Sequence, residues 1–162
     1  MHTRPAPAVT SSAPAKPQPT GPDYLLVDGY NVIFAWDELR KMAETNLDAA
    51  RRRLMDILCN YAGYKRCVPI LVFDAYKVRG GTREVEKHHN LYVVYTQEAE
   101  TADMYIERTT HELAKDHRTR VVSSDGAEQI IVLGNGALRV SARAFAEEVA
   151  AVEKEIREFL QD

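Results

Sequence analysis

The chain has 162 residues, 45% of them hydrophobic and 28% charged, with a formal net charge of −3. That length and apolar fraction suffice for one domain with its own core; no apolar run reaches the roughly 20 residues of a bilayer-spanning helix and the start lacks a secretory apolar segment, so a cytoplasmic protein without a membrane partner is expected. Cys59 and Cys67 have no second thiol or histidine at zinc-ligand spacing and read as free thiols, and the five histidines are scattered apart from His88-His89, which gives little basis for a disulfide scaffold or a histidine-built metal site.

Met1 to Pro22 holds six of the seven prolines, much Ala, Ser and Thr, and no aromatic residue. Such a segment cannot bury enough surface to offset its ordering entropy, so residues 1–22 read as a disordered Pro/Ala-rich tail or linker, a stiff spacer suited to an upstream domain. Residues 23–162 read as the folded domain. The tail contains Arg4 and Lys16 and no acid, so the folded part is more acidic than the whole. That balance opposes a polyanionic partner only weakly, because several of the acids fall into a candidate cation cluster whose bound charge would offset them.

From Asp23 onward apolar runs alternate with helical periodicity. Tyr24 to Asp28 reads as a buried strand and Val32 to Met42 as a short helix. Asp48 to Lys65 reads as a longer helix, along which Leu47, Ala50, Leu54, Ile57, Leu58 and Tyr61 recur every three to four residues. Val68 to Phe73 is a second strand, with Pro69 near its start where proline is tolerated. Ala75 to Asn90 contains Gly80-Gly81 and no clear period, and reads as a mobile loop. A third strand is expected at Leu91 to Tyr95, a helix from about Ala102 to His117, and a fourth strand at Thr119 to Ser123. Gly126 to Leu133 reads as a short helix and Ala137 to Val140 as a fifth, edge-like strand. Ser141 can cap the last helix, whose Phe145, Val149, Val152, Ile156 and Phe159 are expected to face the core. This alternation predicts a three-layer α/β domain around a mostly parallel sheet.

Ligands of such sheets bind outside the carboxyl ends of the strands, and this chain repeatedly places acids there. Asp28 opens Asp28-Gly29-Tyr30-Asn31, Asp74 follows Ile70 to Phe73, Asp103 closes Glu100-Thr101-Ala102-Asp103, and Asp125 closes Ser123-Ser124-Asp125, with Glu107 one helical turn beyond Asp103. Each has an ordinary reading as turn residue or helix cap. Together they would repel one another and lose hydration, a cost of several kcal/mol per buried ion unless a cation compensates. Hard oxygen ligands suit Mg²⁺ or Mn²⁺. The candidate metal ligands are therefore Asp28, Asp74, Asp103 and Asp125. Asn31 is placed to hold a metal-bound water or a phosphate oxygen, and Gly29 to let a substrate approach the backbone. The set suits metal-assisted phosphoryl chemistry.

Lys77, Arg79, Arg83, Lys87, His88 and His89 lie between the second and third strands, where they could clamp a phosphate backbone or form a plain solvated loop. Tyr30, Tyr76 and Trp36 offer stacking surfaces for unpaired bases, or ordinary packing. Arg51-Arg52-Arg53 points in different directions around a helix and reads mainly as solvated surface.

The strings Val27-Asp28-Gly29-Tyr30-Asn31, Val72-Phe73-Asp74-Ala75, Gly80-Gly81, Glu100-Thr101-Ala102-Asp103 with Ile106-Glu107, Ser124-Asp125 with Glu128-Gln129, and Ser141-Ala142-Arg143, in that order, resemble the YacP-like branch of the NYN domains. The resemblance covers Asp23 to Asp162. It implies a Rossmann-like fold shared with PIN-domain nucleases and an acidic cluster that binds Mg²⁺ or Mn²⁺ for RNA cleavage. By position, Asp28, Asp103 and Asp125 match the metal-binding acids, Asn31 the signature asparagine, and Asp74 the acid ending the next strand. The same resemblance implies cleavage of messenger RNA, in some cases on the ribosome.

The expected function is thus a metal-dependent endoribonuclease of single-stranded RNA. Its main rival is a non-catalytic RNA- or ribosome-binding module with a relic acidic pocket. Strand-end aspartates also serve phosphatases and phospho-acceptor domains, although the first strand is not followed by the Asp-x-Asp pair of haloacid-dehalogenase-like phosphatases.

Overall fold

Leu25, Leu26 and Val27 are all buried, as an apolar run without alternation requires when both faces of a strand are covered. They belong to the central strand of a sheet in the computed structural model, which describes residues 21–74, 83–123, 131–132 and 136–161. The elements are β1 (Asp23–Asp28), α1 (Gly29–Ala35), α2 (Asp37–Thr45), α3 (Leu47–Lys65), β2 (Cys67–Phe73), β3 (Glu84–His88), β4 (Leu91–Tyr95), α4 (Ala102–Leu113), β5 (Thr119–Val122), β6 (Ile131–Val132), β7 (Leu138–Val140) and α5 (Ala142–Gln161). The strand order is β3-β4-β2-β1-β5-β7-β6. All neighbouring pairs are parallel except β3 on β4 and β6 on β7, which are antiparallel at the two edges.

Leu25, Val27, Leu71, Phe73, Val93 and Val122 point to the face covered by α1, α3 and α5, where Leu54, Leu58, Phe145 and Val149 complete one core. Leu26, Ile70, Val72, Val94 and Val121 point to the opposite face, which receives Ala102 and Ile106 of α4. Two helical layers around a mostly parallel sheet give the expected three-layer α/β architecture. Among the described residues no helix is long and apolar enough to cross a membrane.

Several expectations give way. The single helix at 32–42 is two helices, because Trp36 adopts an extended backbone (φ −94°, ψ 124°) between α1 and α2. Its indole Nε1 donates to the Ala142 carbonyl at 2.8 Å and its ring stacks on Phe145, so Trp36 is a structural anchor and offers no base platform. Part of the supposed loop 75–90 is strand β3. Its residues Glu84 to Lys87 are exposed and mostly charged, the composition by which edge strands resist aberrant pairing. The helix expected at 126–133 meets a strand at Ile131–Val132, while 126–130 and 133 lie outside the described residues, as do the tail residues 1–20. Pairing of β6 with β7 makes β7 an interior strand, not an edge. Phe159 is 75% exposed, since the buried residues of α5 end at Val152 and only Ile156 packs against the core beyond it.

Replacing Trp36 by Phe keeps an aromatic ring against Phe145 and removes the bond to Ala142. Urea unfolding is expected to show a loss of about 1 kcal/mol; an unchanged midpoint would contradict the anchoring role.

Candidate active site

The chain leaves β1 toward β2 and β4 on one flank, then crosses to β5 on the other, so the strand order reverses between β1 and β5. Crevices of α/β sheets open at such a switch point. Val27 pairs with Leu71 and Val122, which brings the carboxyl ends of β1, β2 and β5 to one level. Asp28 is the last residue of β1 and is only 4% exposed.

Asp28 caps α1, accepting from the Asn31 backbone N–H at 3.4 Å and from Asn31 Nδ2 at 2.5 Å. Asn31 therefore orients the carboxylate from behind. Gly29 has a different purpose from substrate access: a Cβ there would lie 2.3 Å from Phe73 Cε1, so the ring at the end of β2 demands a residue without one.

Asp74 follows β2, and its Oδ1 accepts the backbone N–H of Ala102 at 2.5 Å. Ala102 is the first residue of α4, whose cap Thr101 accepts from Met104 N–H through Oγ1 at 3.1 Å. Asp74 thus fastens the α4 N-terminus to the end of β2, and Asp103 comes with it. Burial pushes the Asp28 carboxyl up, the two Asn31 hydrogen bonds restrain it, and the charges of Asp103 and Asp74 raise it further, to about 6. Asp28, Asp74 and Asp103 therefore share one electrostatic field.

The oxygen-only donor set and this mutual repulsion fit a hard divalent cation. Among the described residues no three Asp, Glu, His or Cys side chains stand at ligand spacing, and like charges have no reason to close up by themselves. Asp125, the fourth candidate ligand, lies outside the described residues. Beside Asp103 a cavity of about 800 Å³ opens between α4 and the sheet, lined by Glu107, Thr110, His111, Ser123 and Arg139 among others.

Glu100, whose role the sequence left open, is buried beneath two cations. Arg83 Nη2 donates to both of its carboxylate oxygens at 2.8 and 2.7 Å, and Arg108 Nη2 donates to Oε2. Both guanidinium groups lie over the Tyr105 ring, at 5.3 and 5.7 Å from its centroid. Burial would raise the Glu100 carboxyl, but the hydrogen bonds and charges of Arg83 and Arg108 outweigh it and hold the group below its ordinary range. Glu100 is therefore a structural clamp between the β3 edge and α4.

The candidate substrate-binding residues are placed unevenly. Arg83 stands at the carboxylate end of the sheet, but its guanidinium is engaged by Glu100. Lys87 pairs with Tyr92 toward the other end of β4, with Nζ 5.5 Å from the Tyr92 ring centroid. That position takes it away from the acids. Lys77, Arg79 and Tyr76 lie outside the described residues. Tyr30 is half-buried beside Asn31, its hydroxyl accepting from Arg51 Nη1 at 3.0 Å. Arg51, expected as solvated surface, is thereby drawn to the site, whereas Arg52 and Arg53 remain exposed partners of Asp48 and Glu38. The neighbouring Phe34 was not singled out in the sequence; its i, i+4 spacing from Tyr30 on α1 was the available signal.

Residues 25–162 match the sequence model of the YacP-like NYN domain. The chain is 38% identical to the protein YacP of Bacillus subtilis (strain 168) over 135 residues, 83% of this chain and 79% of that one. Its fold matches the crystal structure of Rae1 (YacP) from Bacillus subtilis with a TM-score of 0.71 at 37% identity, covering 86% of this chain and 80% of that one. A point mutant of the same protein gives 0.70 at 36% identity, covering 84% and 79%.

The raised Asp28 pKa has a thermodynamic consequence in metal-free protein. A carboxyl whose folded pKa lies above its unfolded value contributes stability at low pH and loses it as pH rises through about 6. Above that pH the buried charge costs on the order of 3 kcal/mol. In chelator, Asp28→Asn is expected to melt above the parent at pH 8, with the gap shrinking toward pH 4; a pH-independent gap would contradict the burial of a charged Asp28. Glu100→Gln should behave oppositely, because a depressed carboxyl stabilises above its unfolded pKa and loses that contribution in acid. With Arg83 and Arg108 partly exposed, the expected loss at pH 7 is about 1–2 kcal/mol, disappearing as pH falls below the ordinary Glu range. Equal melting of parent and variant at pH 7 would remove the clamp.

Proposed function

The chain belongs to the YacP-like NYN domain family, and on that premise we propose that it is a metal-dependent endoribonuclease that cuts single-stranded RNA in the cytoplasm, with messenger RNA, on the ribosome or free, as its substrate. The family's domain is PIN-like and of nuclease type. The observation that carries the reading is the burial of Asp28 at the switch point of the sheet, within electrostatic reach of Asp103 and Asp74: burial raises its carboxyl, their charges add to the rise, and it reaches about 6.

Mg²⁺ or Mn²⁺ held by Asp28, Asp74, Asp103 and Asp125 would supply an activated water and offset negative charge on the phosphate. The chain's own part is positioning. Asn31 fixes the rotation of the Asp28 carboxylate through Nδ2. Asp74 holds the α4 N-terminus in place through Ala102, which keeps Asp103, on the same first turn, within electrostatic reach of Asp28. Glu100 ties the Arg83 end of β3 to the same helix, which fixes where the chain on either side of 75–82 begins and ends. Preorganisation of this kind is where enzymes gain most of their electrostatic stabilisation.

Labelled RNA, naked and in translating ribosome complexes, should be cut by the parent in Mn²⁺ or Mg²⁺ and left whole in chelator. Asp28→Asn should lower the rate at least a hundredfold, on the scale of losing one preorganised electrostatic group, while still binding RNA. Retained binding with no cutting under any metal would instead assign the chain as an RNA- or ribosome-binding module.

A further inference from the structure

Tyr30 and Phe34 sit one turn apart on α1, immediately after Asp28. Their rings stack with centroids 6.3 Å apart and planes 29° from parallel. Tyr30 is held from beneath by Phe73, at 4.9 Å between centroids, and Phe73 in turn stacks on Tyr95 at 5.8 Å. Arg51 fixes the Tyr30 hydroxyl from the side. The result is an aromatic row running from the buried end of β2 out to Phe34, which is 47% exposed.

A recess of about 350 Å³ lies along this row, lined by Tyr30, Asn31, Phe34 and Ala35. Its size is at the lower end of small-molecule sites, about 300–1,000 Å³. Asn31 belongs to both places at once: its Nδ2 grips Asp28, and the residue lines the recess three positions from Phe34. Positions three apart on a helix have Cβ atoms about 5–6 Å apart. A strand whose phosphate lies at Asp28 therefore brings the adjoining base to the recess.

We propose that Phe34, backed by Tyr30 and Arg51, is a stacking platform for the unpaired base next to the scissile phosphate. This inference rests on the nuclease reading and adds to it a reason for single-strand selectivity, since a base inside a duplex cannot leave its stack to reach Phe34. Stacking on an aromatic ring is tolerant of base identity, so the platform grips any sequence.

The test compares binding of an eight-nucleotide single-stranded RNA with that of an abasic ribose-phosphate strand of equal length and charge, by fluorescence anisotropy in the Asp28→Asn protein with Mg²⁺. Adding Phe34→Ala should weaken the intact strand about tenfold, the scale of one lost base-aromatic stack, and change the abasic strand less than twofold. Phe34→Trp should restore the intact strand. Equal losses on both strands, or no loss on either, would overturn the platform. If the parent cuts RNA and Phe34→Ala cuts it with unchanged KM, the platform alone fails; if the protein binds neither strand and cuts no RNA, the nuclease reading fails with it.

Discussion

One hydrogen bond carries most of the site's geometry: Asp74 Oδ1 accepting the N–H of Ala102. The helix that begins at Ala102 spans the far side of the sheet, where Ile106 and Ala102 pack on Leu26, Ile70 and Val72. Apolar packing fixes the helix on the sheet but is non-directional. A carboxylate that satisfies an otherwise unpartnered helix N–H fixes the end of the helix as well, and the positive end of the helix dipole favours the negative charge there. Asp74 is thus at once a helix-terminus partner and one of three acids in a common field.

The arrangement is expensive in the absence of a cation. Asp28 is buried at the end of a central strand, with Asp74 and Asp103 raising its pKa further and only Asn31 acting against them. A sequence selected for stability alone would place Asn or Ser at this cap, since either satisfies the same backbone donor without a charge. Strain of this sort concentrates at sites of chemistry, where binding of a positively charged ligand relieves it. The clamp at Glu100 shows the contrary solution in the same protein: a buried carboxylate compensated by Arg83 and Arg108, which hold its pKa below the ordinary range.

Much of this was legible in the sequence because it is local. The strands β1, β2 and β4 are largely apolar runs, the signature of burial on both faces, and Asp28 and Asp74 sit where the first two stop. What was not legible is set by partners far along the chain. The break at Trp36 depends on a carbonyl 106 residues away, at Ala142. Strand β3 is exposed along nearly its whole length and so has no apolar period, and only its pairing with β4 makes it a strand. Arg83 looks like a phosphate ligand in a basic stretch until the fold brings Glu100 beneath it, and Arg51 looks solvated until α3 packs beside Tyr30.

On the reading proposed above, Asp28, Asp74 and Asp103 form a cation site, and the bound ion removes the cost of bringing their charges together. Calorimetric titration with Mn²⁺ at pH 6, in two buffers of different ionisation enthalpy, tests it most directly. With Asp28 near half-protonated at that pH, binding is predicted to release about half a proton, and both the binding and the release should be lost in Asp28→Asn and Asp103→Asn. Mn²⁺ uptake that is unchanged in both variants, or no uptake by the parent, would contradict the account.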